Sequence, residues 1–148
     1  MLFAYRCLTF VLFPLLVLLI YFRSLFNKED KLRFKEKIFT ASFKVNKNNK
    51  RKLIWFHAAS IGELLSVLPL IEEINQSNES IDFLITSVTL SSSNLLERKI
   101  IHYKNITHRF FPLDTINLSR SFLNAWEPDL VCFVDSEIWP NFLFKIKE

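Results

Sequence analysis

The first 22 positions form the most apolar stretch of the chain. The 15 residues from Leu8 to Phe22 carry no charge, and Met1 to Tyr5 adds apolar positions before Arg6. A hydrocarbon crossing needs about 20 residues, so this run is too short unless Arg6 extends its charged end to the headgroups. No small-residue cleavage site follows, so we expect the segment to be retained. The pattern predicts a membrane anchor over residues 1–22, and it leaves spanning and shallow insertion both open.

Further along the chain, short apolar runs alternate with amphipathic stretches. The predicted strands cover residues 52–58, 81–86, 107–111 and 130–134. Apolar residues at helical spacing predict helices over 62–75, 91–101 and 116–126, and a last helix begins at Pro140. This alternation predicts an α/β fold: a Rossmann-like parallel sheet over residues 53–148, with helices on both faces and right-handed crossovers.

Charge divides the chain near Lys52. Up to that residue there are 12 Lys and Arg against three acidic residues, whereas the remainder has seven against 12. The cations concentrate in residues 23–52, and such an excess beside an apolar segment marks the cytoplasmic side. We interpret this part as a basic juxtamembrane segment that attracts anionic headgroups, with the body on the cytoplasmic side of the membrane. A nucleic-acid patch and a solvated linker over 44–52 are the alternatives, but the neighbouring anchor favours headgroups, and we expect no nucleic acid partner.

Several classes of site are excluded by composition. Gly62 is the only glycine, so neither a Walker loop nor the G-x-G-x-x-G fingerprint of nicotinamide oxidoreductases is possible. Cys7 and Cys132 lie in separate apolar runs, which argues against a disulfide framework or a cysteine metal site. The three histidines do not fall at ligand spacing with acidic residues. We therefore expect no metal and no cofactor.

One candidate site follows the first predicted strand. Ligands of open parallel sheets bind beyond the carboxyl ends of the strands, which is where residues 57–63 should lie. Ser60 and Glu63 have the spacing of a capping box, and from the pattern alone this structural interpretation is favoured. The functional alternative is that Glu63 takes a proton from an acceptor hydroxyl, while the amides of Ser60, Ile61 and Gly62 help to form a small anion site.

A second candidate segment follows the fourth predicted strand, over residues 135–141. Glu137 is an acidic site residue in one interpretation, and in the other it only favours the N-terminus of the next helix. Trp139 and Pro140 are most simply explained as a packing residue and the helix start.

Both segments carry motifs that resemble one family. Trp55–Glu63 (WFHAASIGE) with Leu68-Pro69-Leu70, and Glu127–Val131 (EPDLV) followed by Ser136–Asn141 (SEIWPN), resemble the N-terminal half of 3-deoxy-D-manno-octulosonic acid (Kdo) transferases. Further matches are Lys28-Glu29-Asp30 with Arg33 and Lys35, and Phe111–Asp114 (FPLD). The resemblance covers the whole chain in order.

The resemblance implies a GT-B glycosyltransferase of lipopolysaccharide assembly. Such an enzyme moves Kdo from CMP-Kdo to a lipid A precursor, with inversion and without a metal ion. The N-terminal half binds the acceptor lipid and holds the base, which by motif match is Glu63. Glu137 would line the same cleft, and Ser60, Ile61 and Gly62 would contact substrate.

Three departures from the family pattern accompany this resemblance. The turn Thr86–Ser92 lacks the usual glycine, and Asp135 replaces the usual glutamate before Ser136. The CMP-Kdo-binding C-terminal half does not follow within these 148 residues. We therefore expect this chain to be inactive without a donor domain. The alternative from a different functional class is a non-catalytic, membrane-anchored lipid-binding remnant.

Overall fold

The computed structural model describes residues 2–40, 51–78, 80–134 and 138–146. In chain order the elements are α1 (Leu2–Leu25), a 3₁₀ helix (Arg33–Lys37), β1 (Lys52–His57), α2 (Ile61–Ser77), β2 (Ile81–Ser87), α3 (Leu90–Ile100), β3 (Ile106–Phe110), α4 (Ile116–Trp126), β4 (Leu130–Phe133) and α5 (Pro140–Ile146). The chain divides into two compact units. The sheet unit comprises Val45–Phe111 and Glu127–Glu137, and the helical unit comprises Met1–Lys44, Pro112–Trp126 and Ile138–Glu148.

The described residues of the sheet unit form four parallel strands in the order β3-β2-β1-β4. The strand order reverses at β1, because β2 and β3 lie on one side of it and β4 on the other. This matches the first four strands of the doubly wound order 3-2-1-4-5-6. The predicted α/β class is confirmed, and the predicted elements of the body lie within two residues of the observed ones.

Helices α2 and α3 contribute to a core that includes strand residues. The α2 residues Leu64, Val67, Leu68 and Ile71 recur every three or four positions and cluster with Phe56, Phe83 and Ile85. Alternate β1 residues point to the other face, and there Trp55 and His57 are also fully buried. Strand β1 is therefore covered on both faces, as is usual in a parallel sheet.

The helical unit begins with α1, which is longer than the uncharged run and includes both Arg6 and Arg23. By length and composition alone, α1 could cross a membrane. It ends where Asn27 adopts a left-handed conformation (φ 57°) and the Lys28 N–H donates to the Arg23 carbonyl at 2.9 Å. In the same unit α4 contacts α5, with the rings of Phe122 and Phe142 5.8 Å apart.

Candidate functional site

The loop after β1 leaves the sheet at the point where the strand order reverses. The Ala58 N–H donates to the Thr86 carbonyl of β2 at 3.0 Å, and the Val134 N–H donates to the His57 carbonyl at 2.9 Å. The carboxyl ends of β1, β2 and β4 are therefore joined at one edge of the sheet. Ligands of doubly wound sheets bind outside this edge, next to the reversal.

Hydrogen bonds at the start of α2 join Ser60 and Glu63. Ser60 Oγ accepts from the Glu63 N–H at 3.3 Å and donates its own proton to Glu63 Oε1 at 2.7 Å. Glu63 Oε2 accepts from the Ala59 N–H at 2.8 Å. The predicted capping box is thus correct for the serine. The return bond of the glutamate reaches the amide of Ala59, whereas in a standard capping box it reaches the amide of the serine itself.

These residues remain accessible although they cap the helix. Glu63 is half-buried, whereas Ser60, Ile61 and Gly62 are exposed. Each carboxylate oxygen has two acceptor positions, so the bonds from Ala59 and Ser60 leave Glu63 with acceptor capacity. The arrangement can hold a carboxylate in a fixed orientation and let it accept a further proton.

Gly62 has no conformational or packing reason to be a glycine. Its φ is not positive, and a Cβ built on it would lie 4.0 Å from the nearest described heavy atom, Ser60 Oγ. A helical glycine costs up to about 1 kcal/mol relative to alanine. The chain therefore has its only glycine where the described fold has room for a side chain, and this leaves open space at the helix start.

His57 has a structural role that the sequence did not predict. Its ring is fully buried, stacks on Phe111 with centroids 3.9 Å apart, and places Nδ1 2.9 Å from Thr86 Oγ1. Burial lowers the pKa of His57 to about 4, against weaker opposing influences of the Thr86 carbonyl and the Glu63 carboxylate. The imidazole is therefore neutral at pH 7, and it fixes the end of β1 from which the loop to Glu63 departs. In the sequence, the only indication of this role was that His57 lies near the end of a predicted buried strand.

The second candidate segment divides between described and undescribed residues. Asp135 and Glu137 lie outside the described residues. The predicted role of Glu137 as a second acidic site residue therefore stays a prediction. Asn141 is fully buried, and its Nδ2 donates to the Asp114 carbonyl at 2.8 Å. Pro140 starts α5 as predicted.

Asp114 joins the FPLD motif to the WPN motif in the fold. Its carboxylate accepts from the N–H groups of Asn141 and Phe142, each at 3.2 Å, and therefore caps α5 from 27 positions earlier. Burial raises the pKa of Asp114, and the hydrogen bonds from Tyr5 and these two amides oppose that shift. This contact could not be predicted from the sequence, because a capping residue so distant along the chain leaves no local pattern.

The potential metal ligands among the described residues do not cluster. Within the described ranges, no group of three or more His, Cys, Asp and Glu residues is placed to hold a metal ion. Cys7 and Cys132 are free thiols. The chemistry available at the start of α2 is that of a carboxylate, a hydroxyl and backbone amides.

Comparison with known proteins identifies the family. A family model described as 3-deoxy-D-manno-octulosonic-acid transferase (kdotransferase) matches residues 32–148. The chain is 39% identical to a 3-deoxy-D-manno-octulosonic acid transferase of Rickettsia bellii, over 93% of this chain and 32% of the relative. It is 32% identical to a probable mitochondrial transferase of the same name from Arabidopsis thaliana, over 94% of this chain and 30% of the relative.

A third relative, from Rickettsia typhi, carries the same transferase name and is 32% identical over 95% of this chain and 39% of its own length. The chain thus spans about a third of the length of these relatives. The family model includes the residues from β1 to α5 that form the sheet edge and the capped helices described above. This chain belongs to the 3-deoxy-D-manno-octulosonic acid transferase family.

Proposed function

We propose that this chain is the acceptor-binding part of an enzyme that moves Kdo from CMP-Kdo to a lipid A precursor at the cytoplasmic face of the inner membrane. The observation that carries the proposal is the Glu63 carboxylate, held by Ala59 and Ser60 at the sheet edge where strand order reverses. Family membership supports a sugar donor and an acceptor as substrates.

Glu63 is the proposed general base. A hydroxyl of the acceptor attacks the anomeric carbon of Kdo, a new C–O bond forms, and the bond from that carbon to the CMP phosphate oxygen breaks. The hydroxyl proton passes to Glu63, which must lie about 2.6 to 3.2 Å from the hydroxyl oxygen. Inversion requires one such carboxylate on the side of the nucleophile.

The neighbouring residues are proposed to bind the acceptor. Ser60, Ile61 and Gly62 are exposed beside the carboxylate, and the missing side chain at Gly62 allows a substrate to approach the first turn of α2. Glu137 is proposed as a second acidic residue of the same cleft.

A chimera tests the proposed function. In it, this chain replaces the matching region of the Rickettsia bellii transferase, and transfer from CMP-Kdo to a lipid A precursor is followed by mass spectrometry. We expect transfer by the chimera and none by the 148-residue chain alone, because this chain spans only about a third of that relative. A folded chimera that binds the lipid without transferring Kdo would favour the non-catalytic lipid-binding alternative. Turnover by the chain alone would show that a donor domain is dispensable.

A further inference from the structure

The two ends of α1 are both hydrogen-bonded to other parts of the helical unit. In the first turns, the Tyr5 hydroxyl donates to Asp114 Oδ2 at 2.7 Å and Arg6 Nε donates to Asn141 Oδ1 at 3.3 Å. At the other end, Arg23 Nε donates to Glu29 Oε1 at 3.0 Å. Neither end therefore projects away from the unit.

The residues that hold the two ends are also joined to each other. Lys37 Nζ pairs with Glu29 Oε2 at 2.7 Å, and both side chains are buried. The Leu113 N–H donates to the Lys37 carbonyl at 3.0 Å, and Leu113 directly precedes Asp114. A continuous path of bonds thus runs from the start of α1 to its end.

This path is incompatible with a helix that crosses a bilayer. Tyr5 and Arg23 are about 27 Å apart along the helix axis, at about 1.5 Å per residue, and the hydrocarbon core is about 30 Å thick. A crossing would put the two residues near opposite faces. The path through Lys37 and its ion pair with Glu29 would then run through hydrocarbon, where charged side chains are strongly disfavoured.

The burial pattern of α1 leads to the same conclusion. One stripe is buried or half-buried along the whole helix: Tyr5, Thr9, Phe13, Leu16, Ile20 and Ser24. The remaining surface exposes large apolar side chains, among them Phe3, Leu8, Phe10, Val11, Leu15 and Phe22. One side of α1 is therefore less exposed than the other along the helix, and the more exposed side presents a long apolar surface.

Exposed cations stand at the end of α1 and in the residues that follow it. Arg23 has 47% of its side chain exposed despite its bond to Glu29. Lys28, Lys31 and Lys35 are exposed in the segment that follows. Apolar side chains flanked by cations suit the boundary between the headgroups and acyl chains of an anionic bilayer.

We propose that α1 lies along the surface of an anionic lipid bilayer, with its exposed apolar side in the headgroup boundary, and does not cross the membrane. This inference rests on the membrane association included in the proposed function, and it resolves the choice between spanning and shallow insertion.

Depth-dependent quenching in vesicles tests the proposal. In a chain carrying Cys7→Ser and Cys132→Ala, a fluorophore is attached to either Leu15→Cys, in the middle of α1, or Phe3→Cys, near its start. Both positions are exposed, at 58% and 79%, so the label disturbs no packed contact. Vesicles of phosphatidylethanolamine and phosphatidylglycerol contain nitroxide lipids with the quencher either near the carbonyls or near the chain ends.

We expect the shallow quencher to act more strongly than the deep one at both positions. Stronger quenching of the Leu15 label by the deep nitroxide, with shallow quenching at Phe3, would show a spanning helix and overturn the proposal. Replacing phosphatidylglycerol with phosphatidylcholine should weaken binding at least about tenfold, because the exposed cations at and after the end of α1 would lose their anionic partners.

Two further outcomes are distinguishable. A chain that ignores both vesicle types but sediments as a dimer would assign the apolar side of α1 to a second copy, and would also overturn the proposal. The quenching assay measures the depth of α1 in the bilayer and does not depend on Kdo transfer. Shallow quenching together with an inactive chimera would therefore refute only the proposed activity.

Discussion

Helices α2 and α5 both begin beside a carboxylate that accepts backbone N–H groups, but the two carboxylates differ in exposure. Glu63 belongs to the first turn of its own helix and is half-buried beside exposed residues. Asp114 reaches α5 from 27 positions away and is only 7% exposed. At α5 the carboxylate is enclosed by donors of the protein, whereas at α2 it can still meet a ligand.

The comparison shows that capping does not distinguish a structural carboxylate from a functional one. Both sites satisfy helix amides that would otherwise lack partners. What separates them is the surroundings of the carboxylate, because a base must reach a substrate proton. The following experiments test this difference, from the largest expected effect to the smallest.

Glu63→Gln in the Rickettsia bellii chimera should lower the rate of Kdo transfer by about 10² to 10⁴, or roughly 3 to 5 kcal/mol of barrier. The amide oxygen can still accept a hydrogen bond, so the free energy of unfolding obtained from thermal melts should change by less than about 1 kcal/mol. Glu73→Gln, at an exposed position of the same helix, is the control and should leave transfer unchanged. Near-normal transfer by Glu63→Gln would leave only its capping role.

Asp114→Ala should lower the free energy of unfolding by about 3 kcal/mol, because it leaves the Tyr5 hydroxyl and two amides of α5 without their acceptor. The matched control is Asp30→Ala, which removes a more exposed carboxylate that accepts from the amides of Leu32 and Arg33. Loss of that cap should cost only about 1 kcal/mol. If urea unfolding shows equal losses of unfolding free energy for the two variants, enclosure of the carboxylate does not determine its contribution to stability.

Because His57 is buried at the end of β1, just before α2, it should make the stability of the fold depend on pH. Its pKa is about 4 in the fold against 6.5 ordinarily, so between these values the unfolded chain binds a proton that the folded chain does not. The contribution of His57 is therefore complete above pH 6.5 and is lost as pH falls towards 4, by about 2 to 3 kcal/mol. His57→Gln should remove this part of the slope, whereas the control His102→Gln, at an exposed site, should keep it.

Gly62→Ala should separate stability from activity. The alanine has room and favours the helix, so the free energy of unfolding should rise by about 0.5 to 1 kcal/mol. Transfer by the chimera should fall, because the methyl group occupies space that we assign to the acceptor. Gln76→Ala, exposed near the end of α2, should leave transfer unchanged. If the Gly62→Ala variant is both more stable and fully active, Gly62 has no role in binding the acceptor.

The sequence could predict features that depend on neighbours along the chain. Apolar spacing located α2 and the four strands, and the Ser60 cap followed from a three-residue interval. These features depend on local geometry, whose periods of 3.6 and 2 residues are visible in the sequence.

Features that depend on distant partners could not be predicted in this way. The contact of Tyr5 with Asp114 joins residues 109 positions apart, and no spacing rule connects them. The lowered pKa of His57 likewise comes from burial under Phe111, which is known only after β1 is placed against its neighbours. The motif match supplied the proposed role of Glu63, since the local pattern alone favoured a cap.

The 109-residue separation between Tyr5 and its acceptor also sets a delay during synthesis. At about 5 to 20 residues per second, Asp114 follows Tyr5 out of the ribosome by roughly 5 to 20 s. During this interval the apolar α1 exists without the contact that later holds its start. We expect early capture of α1 by lipid or by a chaperone to shield its apolar side chains until the rest of the helical unit has been made.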